Sequence, residues 1–196
     1  DTVLIARSLR QVGGMYQALC DYPNAINYLN QSIILSKKTN YLKGEASALN
    51  DLGLVFICQS EFLKALQYLN KSLEIKLKIN DTKNAATSYA QIGSVYLRLS
   101  NYEKALQEFQ NALELSFSIN DQWNIGNIFG FIGSLYSDIG VFKKAQYYYK
   151  QSLQIDSIIG NKYGIASNLH SLGVININLK NFDQAISYFK KSLIKR

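Results

Sequence analysis

His170 is the only histidine of the chain, and it opens the search for chemistry. An imidazole that binds a metal or moves a proton needs a second donor or an orienting carboxylate within reach. There is no second His, and no Cys lies near His170 in sequence. The two cysteines, Cys20 and Cys58, lack metal-type spacing. Their functional reading is a disulfide or redox pair. Their plainer reading is two small buried or half-buried side chains, which favours a reducing compartment. The 14 carboxylates are scattered, with no pair placed to act as general acid and base. Gly13-Gly14 follows helical sequence rather than a strand, so it is not a phosphate loop. No catalytic residue, metal ligand or cofactor is expected, and an enzyme is not expected.

Two sequons, Asn30-Gln31-Ser32 and Asn70-Lys71-Ser72, fall at one place in a repeated pattern. There the Ser belongs to a packing seam, so the match is a by-product of the repeat. Trp123 is the sole tryptophan. It could be a contact hot spot, but packing on the preceding helix is the plainer reading. In Tyr147-Tyr148-Tyr149 only Tyr147 is surplus to the repeat, and it could mark an outer contact.

The elements that must position any site come from one pattern. Leu-x-x-Leu-Gly-x-x-Phe or a close variant recurs every 40 residues, around Gly13, Gly53, Gly93, Gly133 and Gly173. It is followed each time by Ala-x-x-x-Leu/Phe/Tyr, from Ala25, Ala65, Ala105, Ala145 and Ala185. A fixed period of this size marks a stacked array. The chain divides into repeats 1–40, 41–80, 81–120, 121–160 and 161–196, each of two amphipathic helices. The first helices are expected over about 2–19, 43–59, 83–99, 123–139 and 163–179. The second are expected over about 23–38, 63–78, 103–118, 143–158 and 183–195. Asn40, Asn80, Asn120 and Gly160 suit a left-handed turn ending the second helix. Asp1, Asp81, Asp121 and Asn161 suit caps of the next first helix. Pro23 fits a first turn, where its missing N–H costs nothing. Gly and Ala are small so that paired helices can approach, and the recurring aromatics fill the seam.

The bulk numbers agree with a packed chain of 196 residues, 47% hydrophobic and 18% charged. No apolar run is long enough to span a bilayer. The net charge is +7, but most Lys and Arg residues, such as Lys71, Lys76, Lys143 and Lys190, are spread along the second helices. That pattern reads as a solvated outer face, and nucleic-acid binding is not expected. The chain starts at Asp1 and stops within a helical pattern, which reads as a segment of a longer protein. The expected compartment is the cytoplasm, or the periplasm if the full protein has a leader.

The pattern resembles the tetratricopeptide repeat, and the resemblance covers the whole chain. The period is 40 residues rather than the usual 34. Lys37, Leu77, Phe117 and Ser157 stand where a proline usually ends the second helix. This is similar to the long-repeat subclass of the kinesin light chain, the Leu-Gly-Asn-repeat adaptor and bacterial sensor-associated arrays. The resemblance implies an all-α fold, an α–α superhelix or solenoid of five helix-turn-helix repeats and ten helices. It also implies a concave groove lined by the first helices.

Carried over residue by residue, the groove positions include Arg7, Arg10, Gln11, Asn50, Asp51, Leu54, Ile57, Gln91, Leu97, Asn127, Phe131 and His170. The Lys, Asn and Arg constellation that grips a terminal carboxylate in chaperone-binding members is missing. Gln11, Asp51 and Gln91 keep half of an amide ladder of the kind that holds an extended backbone. The expected function is a non-catalytic protein- or peptide-binding scaffold. Its partner is an uncharged or weakly charged segment with apolar anchors near Leu54, Ile57, Leu97 and Phe131. The alternative is a sensory or dimerisation module of a larger signalling protein, for example one fused to a kinase or cyclase. That module would self-associate through the outer face.

Overall fold

The computed structural model describes residues 1–194; Lys195 and Arg196, the end of the last expected helix, lie outside the described residues. Among the described residues there are ten helices and no strand. The first helices of the repeats are α1 (Thr2–Ala18), α3 (Leu42–Cys58), α5 (Thr82–Arg98), α7 (Gln122–Asp138) and α9 (Lys162–Asn178). The second helices are α2 (Tyr22–Lys38), α4 (Phe62–Lys78), α6 (Tyr102–Ser118), α8 (Phe142–Ile159) and α10 (Phe182–Ile194). Each observed end through the start of α10 lies within one residue of the expected one.

The helices form two compact units, residues 1–101 and the remainder from Tyr102. In the first, α1 pairs with α2 and α3 with α4. There α2 also packs on α3, α4 on α5, and α1 reaches α3. In the second, α7 pairs with α8 and α9 with α10, while α6 packs on α7, α8 on α9, and α7 reaches α9. The third repeat is divided, with α5 in the first unit and α6 in the second.

The turns are more regular than the sequence announces. Cys20, Asn40, Ser60, Asn80, Ser100, Asn120, Gly140, Gly160 and Lys180 all have positive φ, between 52° and 75°. The chain therefore reverses every twenty residues, at the end of first and second helices alike. At each reversal the next residue's N–H reaches back five residues to a carbonyl of the last turn. Examples are Asp21 N to Tyr16 O at 2.9 Å and Tyr41 N to Ser36 O at 2.8 Å. This closes orphan carbonyls at the helix end. The left-handed Asn40, Asn80, Asn120 and Gly160 were expected. Those ending the first helices were not; Gly140 suits the geometry, but Cys20, Ser60, Ser100 and Lys180 carry no such preference.

The expected caps form. Asp1, Asp81, Asp121 and Asn161 accept from Val3, Asn84, Asn124 and Gly164 backbone N–H groups. Asp21 does the same for Asn24 at the start of α2. Tyr41 gives α3 no side-chain cap.

The seam explains the two small-residue ladders. A Cβ added at Gly13 or Gly53 would stand 2.7 Å from the Cγ of Leu29 or Leu69, inside van der Waals contact. Gly133 and Gly173 face the rings of Tyr149 and Phe189 in the same way, at 2.9 and 2.6 Å. Ser32, Ser72, Ser152 and Ser192 each donate from the second helix to the carbonyl 26 residues back, Ala6, Ala46, Gly126 and Ala166, at 2.7–2.8 Å. Ser32 and Ser72 are thus buried packing groups, as the sequon argument expected. Stacked pairs Tyr16–Tyr28, Phe56–Tyr68 and Tyr136–Tyr148 close the turn-side ends of their hairpins, with ring centroids 5.2–5.4 Å apart.

Gly14 differs from the ladder glycines. Nothing lies within 4 Å of the Cβ it lacks, and it sits inside α1. Gly14→Ala is expected to raise stability by about 0.5–1 kcal/mol through helix propensity. An unchanged or lower urea midpoint would show that the position is crowded after all.

Candidate binding face on the first helices

The first helices carry the expected groove residues, and the structure gives each a definite setting. In the first unit, α1 supplies Arg7, Arg10 and Gln11. Arg7 Nε donates to Tyr41 Oη at 3.0 Å, and its guanidinium carbon lies 5.1 Å from the Tyr41 ring centroid. Arg10 Nη1 meets Asp51 Oδ2 of α3 at 3.0 Å. Burial pushes the Asp51 carboxyl up from its ordinary value, against the pull of Arg10 and Lys76. Two of the three charges in the expected set therefore answer each other.

Asn50 is not a free groove amide. Its Oδ1 accepts from Lys76 Nζ at 2.9 Å, and Lys76 also donates to Ser88 Oγ at 2.6 Å. One lysine of α4 thus ties α3 to α5. Lys76 is only 6% exposed, which corrects the reading of it as part of a solvated outer face. Burial lowers its pKa to about 8, with Asp81 and Asp51 opposing the shift.

Lys76 occupies a register position that recurs as Ser36, Ser116 and Asp156, all buried. The hydroxyls of Ser36 and Ser116 have no partner. Asp156 accepts from Asn161 Nδ2 and Asn168 Nδ2, both at 2.8 Å. Burial raises its pKa despite those bonds. Sequence reasoning missed this column. The signal was present, because Leu29, Ser32, Ile33 and Ser36 fall at i, i+3, i+4 and i+7, on the buried stripe.

The remaining residues of the set are half-buried or exposed. Leu54, Ile57, Gln91 and Leu97 are half-buried on α3 and α5. Gln91 Oε1 is buried and accepts no bond. In the second unit, Asn127 is half-buried, Phe131 is 36% exposed and His170 is exposed. Phe131 stacks on the fully buried Phe109 with centroids 5.6 Å apart. His170 lies beside the Phe189 ring. The structure brings the first nine residues onto α1, α3 and α5, and the last three onto α7 and α9 of the other unit.

Between α1 and α3 is a cleft of about 160 Å³, lined by Ala6, Arg7, Arg10, Gln11, Ser32, Tyr41, Lys43, Gly44 and Ser47. Lys43 was outside the expected set because it precedes the groove columns by one turn.

Two further expectations are corrected. Cys20 and Cys58 are exposed and free rather than buried, because both sit at the turn end of a first helix. Trp123 is 56% exposed, so it does not pack away on the preceding helix; Asn124 takes the buried position instead. Tyr147 is exposed as expected, edge-on to Tyr148. Among the described residues there is no cluster of three His, Cys, Asp or Glu placed to hold a metal. No described helix is long and apolar enough to cross a membrane.

Helical hairpins joined by small-residue seams, with polar and half-buried apolar side chains on the first helices, define a helical repeat array. The tetratricopeptide-repeat profile matches residues 4–78 and 84–158, and a second such profile matches residues 166–193. The chain belongs to the tetratricopeptide-repeat family. No curated protein matches it in sequence. Solved structures share the fold at low identity. BtubC (BKLC) from P. vanneervenii is 14% identical with a TM-score of 0.85, covering 100% of this chain and 81% of that one. A signal transduction ATPase with numerous domains from Pyrococcus horikoshii, bearing a tetratricopeptide-repeat sensor, is 21% identical with a TM-score of 0.85. That match covers 97% of this chain and 30% of the ATPase. A Rap protein complexed with competence and sporulation factor is 16% identical with a TM-score of 0.86, covering 100% and 55%.

Proposed function

We propose that the chain is a non-catalytic scaffold that captures a protein or peptide segment on the exposed face of its first helices. The observation that carries this reading is apolar surface left on α3 and α5 of the first unit: Leu54, Ile57 and Leu97 are half-buried on helices that also carry Asp51 and Gln91. Such side chains gain from a partner's apolar groups, while neighbouring amides such as Gln91 orient it. The partner is an uncharged or weakly charged segment. The Rap protein of this fold is solved with competence and sporulation factor, which supports capture by such an array.

The test is selection of 12-residue peptides from a random display library on the immobilised chain, followed by calorimetry. Leu54→Ala with Leu97→Ala is expected to weaken the selected peptides roughly tenfold or more, with little change in melting temperature. Undiminished affinity would move the site off this face. Asn50→Ala is a poorer probe, because it strips a partner from buried Lys76.

A second reading rests on the second helices. Ile34, Leu63, Phe117, Tyr147 and Ile158 are each 58–78% exposed there. They suit self-association within a larger signalling protein, and the ATPase of this fold carries its repeats as a sensor. A molecular mass by light scattering that stays monomeric over a hundredfold concentration range would dismiss it.

A further inference from the structure

We propose that the cleft between α1 and α3 seats one carboxylate side chain of the captured segment. This rests on the reading that the first-helix face binds a segment, and it names the chemistry of one position in that segment.

The cleft has three cationic side chains in its lining, Arg7, Arg10 and Lys43, and no acidic one. Asp51 outside the lining offsets Arg10, which leaves two positive charges unanswered. Arg7 is already oriented. Its Nε is held by Tyr41 Oη and its plane rests near the Tyr41 ring. Its two terminal nitrogens and the Lys43 ammonium have no partner among the described residues. A planar guanidinium fixed on one edge presents the other as a fork, which matches a carboxylate. The Ser32 hydroxyl is satisfied, since it donates to Ala6 O, so the free charge in the lining is that of the cationic donors, with the neutral Gln11 amide also lining the cleft.

Size narrows the occupant. About 160 Å³ is several times the ~10–15 Å³ of space that one water needs. That admits a carboxylate and one or two methylenes. It is below the ~300 Å³ of a typical small-molecule site. The cleft is therefore an anchor for one acidic side chain within a longer contact. The sequence showed no such site because Lys43 joins Arg7 and Arg10 only through the packing of α3 on α1.

The test follows the Arg7 Nε–H and Arg10 Nε–H signals of the 196-residue chain by NMR while N-acetylglutamate amide, N-acetylglutamine amide or inorganic phosphate is added. The glutamate compound is expected to shift the Arg7 signal saturably and the glutamine compound is not. Arg7→Gln and Lys43→Gln are each expected to weaken the effect roughly 10- to 100-fold. Lys43 has no internal bond to lose, so that variant keeps the test valid if Arg7→Gln unfolds. Equal shifts from the two amides, or no shift, overturn the proposal. Phosphate binding more than tenfold tighter than the glutamate compound overturns it in favour of a phosphorylated group. Peptides selected in the display experiment should carry Asp or Glu at one fixed position. Selected peptides with no acidic preference would remove the cleft and leave the scaffold reading standing. A saturable glutamate shift without any captured peptide would do the reverse.

Discussion

Phe109→Ala is expected to cost about 3–5 kcal/mol of stability. Phe109 is 0% exposed and is among the largest fully buried side chains of the second unit. Its ring stacks on Phe131 with planes 7° apart, an arrangement worth about 0.5–1.5 kcal/mol beyond area burial. Truncation therefore opens a cavity and frees a face residue at once. In an array, each element is stabilised by its neighbours rather than by one shared core. The loss should then register first where α6 meets α7. Trp123, the sole tryptophan, lies at the start of α7 and reports that region. Its fluorescence midpoint in urea is expected to fall ahead of the circular-dichroism midpoint, which sums all helices. Phe109→Leu, with less volume lost, should cost clearly less than Phe109→Ala. A Trp123 midpoint unmoved by Phe109→Ala would remove Phe109 from the core.

Lys76 is expected to make stability rise with pH between about 8 and 10.5. In the unfolded chain the lysine keeps its ordinary value of 10.5, and in the folded chain it titrates near 8. Below about 8 both states carry the proton, and the folded state bears the full cost of a buried ammonium. Between the two values the unfolded state holds more protons, so raising the pH favours folding. The full span corresponds to roughly 3 kcal/mol at ~1.36 kcal/mol per pKa unit. Lys76→Met should abolish this slope and leave stability at pH 7 equal or higher, because a buried charge is replaced by apolar volume. Ser88 Oγ already lies 3.3 Å from Asn50 Oδ1, so the two can satisfy each other. Urea midpoints of both proteins at pH 7, 8, 9 and 9.5 decide it, below the range where the burial-raised Tyr148 and Tyr149 ionise. Parallel curves for the two proteins would mean that Lys76 stays hydrated.

The helices, their ends and the seam were legible because they repeat. A glycine recurring every forty residues has one economical explanation, close approach of the paired helix; Leu29 and Leu69 against Gly13 and Gly53 bear it out, though the leucine rather than the alanine is what each glycine meets first. What the repeat hides is the individual residue at a shared position. Lys76 looks like any lysine of a second helix until its register is compared with Ser36 and Asp156. The left-handed Cys20, Ser60, Ser100 and Lys180 have no sequence signature, since the geometry is imposed by the helix pairs they join. Arg10 and Asp51 lie 41 residues apart, so their pairing emerges only when α1 reaches α3. The cleft depends on the same contact.

The twenty-residue spacing of the reversals bears on how such a chain can change length over time. Because every hairpin ends in the same backbone shape, removing residues 41–80 would join Asn40 directly to Asp81. That splice sets a left-handed asparagine before an aspartate already suited to begin a helix. Recombination in multiples of forty codons leaves the turn grammar intact, so gain or loss of whole modules is open to the gene in a way that shorter slips are not.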